Sequence, residues 1–364
     1  MRNQPNEPYQ DLPPLSPTAE VETYAVLKAN IDASRALARL AGACRRLADR
    51  DMLLNVIPLM EAQASSEIEN IFLTQEELFQ RGNHALPGGS SSVREVLRYR
   101  DALLSGVQFL KRGPLGMETV LDLGNIIAPE KGRVHTFPGT FIGNPVTKER
   151  VYTPPQGEEV LLKHLSAWEN FLHDDHGIDP LIAMALAHYQ FEAIHPFSDG
   201  NGRTGRVLNI LLLIEAGLLE LPVLYLSGYI VRHKDTYYER LNAVTREEAW
   251  ESWILFMLGG IRSTAQWTLE LMETSEELRA EMEESIREVG NHLPAAELTR
   301  LLFSQPYLRI ENVVEAGLAK RQTASVWLGK LVEAKLIGVE KLGRQKVFIN
   351  HRLVDALFHT PLPE

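Results

Sequence analysis

A loop rich in glycine and arginine, residues 195–206, lies between two segments whose apolar residues recur at helical spacing. The first segment, residues 180–193, follows Asp179, a favoured N-cap residue. The second, residues 202–216, stops at Gly217, which is typical of a helix C-terminus. The chain is therefore expected to fold around a helix–loop–helix unit, with the loop at the N-terminus of the second helix.

The three glycines of this loop, Gly200, Gly202 and Gly205, let its backbone N–H groups turn toward one point without obstruction by Cβ atoms. At a helix N-terminus such donors, together with the positive end of the helix dipole, bind anions such as phosphate. Arg203 and Arg206 add positive charge and paired donors for phosphate oxygens. The loop therefore predicts a phosphate site.

Asp199 and His195 suggest what this phosphate site does. A carboxylate is a poor neighbour for phosphate unless a cation lies between them, and a hard oxygen ligand favours Mg²⁺. His195 is the side chain able to take up a proton near neutral pH.

Two other interpretations of this loop are possible. Residues 200–205 satisfy G-x-G-x-x-G, but a dinucleotide-binding unit needs a preceding strand, and the segment before this loop is helical. Alternatively, His195 and the arginines only cap and cross-link helices.

Residues 195–206 read HPFSDGNGRTGR and resemble the HPFx(D/E)GNGRxxR signature of the Fic family of nucleotidyltransferases at every defined position. The resemblance covers roughly residues 20–275. It implies a transfer of AMP from ATP to a Ser, Thr or Tyr hydroxyl of a target protein, self-modification included, with release of pyrophosphate. Transfer from another nucleotide or phosphocholine donor is an alternative.

The resemblance also implies roles for single residues. His195 would be the general base, Asp199 would hold Mg²⁺, and Arg206 would meet the γ-phosphate. The implied ATP-binding set is Gly200, Asn201, Gly202, Arg203, Thr204, Gly205, Arg206, Tyr238 and the inhibitory Glu69. Tyr238 is the preferred adenine-facing residue, and a core position for Tyr238 or its neighbour Tyr237 is the alternative.

Residues 141–153 place apolar and β-branched side chains on both sides of a short polar turn, which predicts a β-hairpin. The hairpin resembles the flap of the Fic family, which holds an extended target segment by main-chain pairing. The flap residues are Ile142, Val151 and Tyr152. A purely structural hairpin is the alternative.

Residues 65–70, SSEIEN, resemble the inhibitory motif of the family, (S/T)xxxE(G/N), through Ser65, Glu69 and Asn70. Ser65 and Glu69 are four residues apart and therefore share one helix face. An ion pair between Glu69 and Arg206 would deny Arg206 to the γ-phosphate and leave ATP in an unproductive pose. An ordinary solvated helix is the alternative. Some braked family members also remove AMP, and the sequence leaves this open.

The C-terminal residues 291–364 carry 10 Lys and Arg against 7 Asp and Glu, whereas the whole chain has a net charge of −11. Their pattern predicts three helices followed by two short strands, the order of a winged helix-turn-helix. DNA binding would use Lys320, Arg321, Gln322, Ser325, Arg344 and Lys346. A protein-contact or dimerisation module is the alternative.

The composition, 45% hydrophobic and 23% charged, argues against disorder, and the acidic balance argues against a general polyanion binder. The single Cys44 excludes an intramolecular disulfide, and its small-residue surroundings predict a core position. Acidic residues interrupt the apolar run at 207–226, so we expect no membrane span. No secretory signal is visible, and a cytoplasmic location is expected.

The sequence thus predicts a mainly α fold: a Fic-type helical core with a small β-hairpin flap, plus a C-terminal winged helix-turn-helix domain. The expected domains are an N-terminal helical region with the inhibitory motif (1–110), the catalytic core (111–275), and a linker helix with the winged-helix domain (276–364). The expected partners are ATP with Mg²⁺, a target-protein hydroxyl, a second copy of the chain, and DNA. The alternative function is a nucleotide-sensing, DNA-binding regulator.

Overall fold

The computed structural model describes residues 4–47, 49–74, 77–78, 90–135, 139–143, 149–290, 292–342 and 345–363. Helices dominate, as the periodicity predicted. The N-terminal helices are α1 (Tyr24–Arg46), α2 (Asp51–Ile68), α3 (Ser91–Leu110) and α4 (Met117–Ile127). Two short strands, β1 (Ile142–Gly143) and β2 (Arg150–Tyr152), precede α5 (Glu158–His173), α6 (Pro180–Ile194), α7 (Asn201–Glu215), α8 (Leu226–Arg232), α9 (Lys234–Glu247) and α10 (Trp250–Val289).

Helix α6 lies at the centre of the core, and almost all of its residues are buried. A helix that is apolar on every face must be covered on every face. Two neighbouring tryptophans also bond to its backbone: the indole N–H of Trp168 donates to the carbonyl of Ala187 at 2.9 Å, and that of Trp253 donates to Ala185 at 2.8 Å. These contacts fix the helix that carries His195 at its end.

Helix α2 bridges the N-terminal region, the core and the C-terminal unit. Along its length it packs against α3 and α8. Near its beginning, the Asn55 amide donates to the carbonyl of Ser304 at 3.2 Å, and Asp51 forms an ion pair with Arg300 at 2.9 Å. The position of its last turn therefore depends on contacts with several other elements.

The N-terminal arm lies in an extended form beside the chain that follows β2. The N–H of Tyr9 donates to the carbonyl of Thr153 at 3.0 Å, and the Tyr9 ring meets that of Tyr152 edge to face at 6.4 Å. The Gln190 amide donates to the carbonyl of Pro13 at 3.0 Å. The Pro-rich start of the chain thus supports the base of the hairpin.

The C-terminal unit contains α11 (Ala295–Ser304), β3 (Tyr307–Leu308), α12 (Ile310–Glu315), α13 (Arg321–Glu333), β4 (Gly338–Leu342), β5 (Gln345–Ile349) and α14 (His351–His359). Its antiparallel sheet has the order β3-β5-β4. The three predicted helices and the two predicted strands occur in the expected order, whereas β3 and α14 were not predicted. Arg344 lies outside the described residues.

Helix α10 runs through the boundary drawn between residues 275 and 276, so that boundary coincides with no break in secondary structure. The C-terminal tail packs back onto the core: the indole N–H of Trp267 donates to the carbonyl of Thr360 at 3.0 Å, and Arg232 donates to that of Leu362 at 3.1 Å.

Cys44 is buried, as expected. Within the described part of the chain, no helix combines the length and apolar character needed to span a membrane.

Candidate active site

The loop between α6 and α7 is held closed from both ends. His195 directly follows α6 in a left-handed conformation (φ 50°), and its N–H donates to the carbonyl of Phe191 at 3.0 Å. The Asn201 side chain donates to the carbonyl of Phe197 at 2.7 Å and accepts its N–H at 2.8 Å. The side chain of Asn201 therefore shapes the loop, and its backbone belongs to the first turn of α7.

Two glycines are required where this loop enters α7. Gly200 has φ +84°, a conformation that residues with a Cβ rarely adopt. At Gly202 a Cβ would collide with the carboxylate of Glu69 and crowd the guanidinium of Arg206. The N-terminus of α7 is therefore open to close approach by an anion, and a carboxylate is already beside it.

His195 is neutral at pH 7 in this environment. Burial lowers the pKa of its imidazole to about 4, although the charge of Glu69 opposes the shift. A neutral imidazole can accept a proton from a hydroxyl, which is what a general base must do. The sequence predicted a group titrating near neutrality, and burial makes it a weaker base than that.

The predicted contact between Glu69 and Arg206 is present. One guanidinium nitrogen of Arg206 (Nη2) lies 2.7 Å from Glu69 Oε1 and donates to the carbonyl of Ser65 at 3.0 Å. Nε of Arg206 donates to the Ser65 hydroxyl at 2.8 Å. Burial raises the pKa of Glu69, but the charge and hydrogen bond of Arg206 outweigh it and lower the pKa below the usual value. Glu69 is therefore a carboxylate that occupies the anion-binding face of Arg206.

Arg203 has different partners. Its guanidinium donates to Glu95 Oε2 and to Asp199 Oδ1, both at 3.0 Å, and the side chain is only 4% exposed. The Lys131 ammonium lies 3.7 Å from the other oxygen of Asp199. Arg203 thus connects the loop to α3 and orients the Asp199 carboxylate.

The Asp199 carboxylate fits a magnesium ion held jointly with a nucleotide. Mg²⁺ is usually bound by one or two carboxylates together with substrate phosphates and water. Asp199 is 44% exposed and lies in the loop whose backbone leads to the N-terminus of α7. Within the described residues, no cluster of three or more His, Cys, Asp or Glu side chains forms a metal site. One carboxylate plus phosphate oxygens is therefore the donor set that this site offers.

A cavity of about 590 Å³ opens between the last turn of α2, the hairpin, α6 and α9. Tyr238 lines it and is 38% exposed, whereas Tyr237 is buried in the core. Ile142, Val151 and Tyr152 line the hairpin side. Tyr238 thus lies in the cavity wall and Tyr237 in the core, and a base-facing role for Tyr238 stays a prediction.

The hairpin is anchored to the core at its second strand. Ile142 pairs with Tyr152 and Gly143 with Arg150, and the Tyr152 hydroxyl donates to the carbonyl of Ala193 at 2.7 Å. Ala193 is two residues before His195, so the end of α6 positions both the hairpin and His195.

Asn70 ends the inhibitory segment in a left-handed conformation, with φ 62°. Its side-chain oxygen accepts a hydrogen bond from Lys234 Nζ at 3.1 Å, at the beginning of α9. Asn and Gly tolerate this conformation better than other residues, which explains the (G/N) position of the motif. The remaining residues of the predicted ATP-binding set, Thr204 and Gly205, lie in the first two turns of α7. Thr204 is fully buried, and a Cβ at Gly205 would lie 2.6 Å from Glu192 Oε1.

Three acidic residues of this region were missed by the sequence analysis. Glu95 binds Arg203, Glu61 is buried in α2, and Glu192 lines the cavity with one carboxyl oxygen buried and without a hydrogen-bond partner. Glu61 had a detectable signal, because it precedes Ser65 by four residues and shares its helix face. The other two had none.

Three segments of the chain match known domain families. Residues 115–213 match the Fic/DOC family, residues 27–108 match the Fic/DOC family N-terminal domain, and residues 278–353 match the C-terminal domain of SoFic-like protein adenylyltransferases. The chain therefore contains a Fic/DOC family domain, preceded by the N-terminal domain of that family. This agrees with the resemblance seen in residues 195–206.

Curated relatives align with a short region of this chain. The protein adenylyltransferase fic-1 of Caenorhabditis elegans is 37% identical over 99 residues, 26% of this chain and 17% of that protein. The protein adenylyltransferase Fic of Nematostella vectensis is 40% identical over 95 residues, 25% of this chain and 20% of that protein. The chain thus spans a fifth or less of these relatives.

Solved structures show the same fold over longer stretches. A Fic family protein from Desulfovibrio desulfuricans aligns with a TM-score of 0.57 and 21% identity over 93% of this chain and 98% of that one. A fragment of C. elegans Fic-1 aligns with a TM-score of 0.52 and 21% identity over 69% of this chain and 74% of that one.

Proposed function

We propose that this Fic-family chain is an autoinhibited protein adenylyltransferase. It would transfer AMP from ATP to a Ser, Thr or Tyr hydroxyl of a target protein and release pyrophosphate. The observation that carries the proposal is a neutral His195 in the loop that leads into α7, where Arg206 is already bound by a carboxylate. The relatives described above are protein adenylyltransferases, which supports the same reaction.

The reaction follows from the chemistry of these groups. His195 accepts the proton of the target hydroxyl, whose oxygen forms a bond to the α-phosphorus of ATP. The bond from the α-phosphorus to the oxygen that bridges to the β-phosphate breaks, and pyrophosphate leaves. The backbone N–H groups at the N-terminus of α7 bind the phosphate oxygens. Asp199 would hold Mg²⁺, which supplies charge neutralisation at the phosphates.

Autoinhibition rests on competition for Arg206. A γ-phosphate and the Glu69 carboxylate need the same guanidinium group, and Glu69 already accepts from its Nη2 at 2.7 Å. A brake that weakens productive binding by about 3–4 kcal/mol suppresses activity by about 10²–10³-fold. Because the Glu69 side chain is 35% exposed, it can leave without breaking the core.

The hairpin and the cavity support target docking beside the nucleotide. Ile142, Val151 and Tyr152 would hold an extended target segment by main-chain pairing, with its hydroxyl directed at His195. Tyr238 would contact the base from the opposite wall.

The test uses purified protein, Mg²⁺ and ATP labelled on the α-phosphate, alone and with a cell lysate. Wild type, Glu69→Gly and Glu69→Gly/His195→Ala are compared for label retained on protein, with Glu67→Gln as a matched control on the same helix. Label should rise about 10²–10³-fold with Glu69→Gly and vanish in the double variant. No label in any variant that still binds ATP would contradict the proposal and favour another donor or a nucleotide-sensing regulator.

A second role, DNA binding by a winged helix-turn-helix, is favoured by the exposed face of α13. Lys320, Arg321 and Gln322 are all exposed there, although Arg321 pairs with Glu311. Binding to duplex DNA should weaken with salt, and Arg321→Ala should reduce the salt dependence by about one phosphate contact. Arg352→Ala, on α14, is the matched control. DNA binding that no salt concentration between 50 and about 200 mM affects would contradict phosphate contacts.

A further inference from the structure

Helix α2 carries a buried carboxyl group that the proposed reaction does not use. The Glu61 side chain is fully buried, and residues of two other elements hold it. Its Oε2 accepts the backbone N–H of Ser227 at 2.8 Å. Its Oε1 accepts the Ser227 hydroxyl at 2.5 Å and the Tyr99 hydroxyl at 3.2 Å. Glu61 thus joins α2 to α8 and α3.

Glu61 lies on the same face of α2 as the inhibitory residues. Glu61, Ser65 and Glu69 follow one another at intervals of four, the spacing that places side chains in one row along a helix. At the end of the row, Ser65 and Glu69 bind Arg206. Any rotation or shift of α2 that breaks the Glu61 contacts also moves this row away from Arg206.

We propose that Glu61 is a positioning residue for the inhibitory helix: it fixes the register in which Ser65 and Glu69 reach Arg206, and it holds α2 more tightly when protonated than when ionised. The functional consequence, a brake that loosens as the pH rises, rests on the proposed adenylyltransferase activity. The positioning itself does not.

The surroundings of Glu61 support a proton-dependent contact. Burial raises the pKa of Glu61 to about 7, against the opposing hydrogen bonds of Ser227 and Tyr99 and the charge of Arg206. Burial and the charge of Glu61 also raise the pKa values of the Tyr99 and Tyr225 hydroxyls. Both tyrosines therefore stay neutral. Arg206 stays charged.

Other charged groups that face α2 act elsewhere on the helix. Arg300 of α11 binds Asp51 at the beginning of α2. Glu192 of α6 also has a pKa raised by burial to about 7, but its charged neighbours are Arg206 and Glu69. Because Glu192 is present in every variant, a comparison that changes only Glu61 separates the two groups.

The direction of the pH effect follows from proton linkage. When α2 leaves its site, Glu61 enters water and its pKa returns to its ordinary value of 4.5, whereas in place the pKa is about 7. The bound position therefore takes up an extra proton between these two values. The stabilisation that protonated Glu61 gives to the bound position of α2 is fully present below pH 4.5. It falls as the pH rises toward 7 and does not change further above that.

The test measures amide hydrogen exchange of α2 in the full chain at about pH 5 and 7.5, corrected for the intrinsic exchange rate. Wild type is compared with Glu61→Gln, a neutral side chain of the same shape, and with Glu67→Gln as the control. Protection of α2 in wild type and in the control should fall by about 50-fold between the two pH values, since each pKa unit is a factor of ten. Glu61→Gln should show no such change.

The same variants are then assayed for AMP transfer relative to Glu69→Gly at each pH. This ratio cancels effects of pH on the chemistry and reports the brake alone. Protection of α2 that is independent of pH in wild type, or an unchanged pH dependence in Glu61→Gln, would overturn the proposal. Because exchange needs no activity, absence of AMP transfer would contradict the proposed function without affecting this result. Tyr99→Phe, which removes one hydrogen bond to Glu61 but keeps its carboxyl group, should lower protection of α2 at both pH values and retain the pH dependence. If Glu61→Gln fails to fold, unchanged protection in Tyr99→Phe would overturn the positioning role.

Discussion

The two arginines within residues 195–206 differ in the residues to which their guanidinium groups donate hydrogen bonds. Arg203 and Arg206 lie three residues apart on α7, and both side chains are buried. Arg203 binds Asp199 of its own loop and Glu95 of α3. Arg206 binds Ser65 and Glu69, which belong to the last turn of α2.

This difference leads us to expect a structural role for Arg203 and a ligand-binding role for Arg206. The partners of Arg203 belong to the loop and to α3, so an anion that displaced both of them from Arg203 would separate these two elements. Glu69 lies at the end of its helix, and a phosphate can replace it at Arg206 with charge and geometry conserved. The site therefore holds a competitor where the proposed substrate would bind.

The largest expected effect breaks this comparison at Arg206. In a Glu69→Gly background, Arg206→Ala should reduce AMP transfer by about 10²–10³-fold, because a charged donor to the transferring nucleotide is lost. Transfer is measured with α-labelled ATP, and circular dichroism checks that the variant folds. Activity within a few-fold of Glu69→Gly would show that Arg206 does not bind the nucleotide.

At Arg203 the expected loss is one of stability. Arg203→Ala removes two charge-assisted hydrogen bonds and a buried stem, so the free energy of unfolding should fall by about 2–3 kcal/mol. Urea denaturation measures it. A second variant, Glu95→Gln, should lower the free energy of unfolding by only about 1 kcal/mol, because Glu95 is partly exposed. An Arg203→Ala variant of unchanged stability would contradict the structural role.

Much of this site could be predicted because its residues are close in sequence. The loop from His195 to Arg206, the helices around it, and the four-residue spacing of Ser65 and Glu69 are local patterns. The pair of Glu95 with Arg203 joins residues 108 apart, and that of Glu61 with Ser227 joins residues 166 apart. Such pairs depend on how helices pack. The boundary predicted at 275 lies inside α10, which continues to Val289, so it stays a prediction about domains and not about helix ends.

The pH profile sharpens the comparison at His195. Burial holds the pKa of His195 at about 4 and Glu69 raises it, so in Glu69→Gly the pKa should be no higher. A base must be neutral, so kcat should be constant from about pH 5.5 to 8 and fall only as the pH drops toward 4. Initial rates at saturating ATP and Mg²⁺ measure this. An acid limb near 6.5, the value of an exposed histidine, would show that His195 is solvated in the active state.

The smallest expected effect concerns the turn at Asn70, which directly follows Glu69 at the end of α2. Asn70 has a left-handed backbone, so Asn70→Ala should strain this turn by about 1 kcal/mol, whereas Asn70→Gly should not. Both variants lose the hydrogen bond to Lys234, and Lys234→Ala loses it without changing the backbone. If the turn positions Glu69, AMP transfer by Asn70→Ala should exceed that of Asn70→Gly and of Lys234→Ala by about fivefold, because 1 kcal/mol is about that factor in an equilibrium. Equal transfer by all three would mean that the ion pair of Glu69, and not the turn, holds the brake against Arg206.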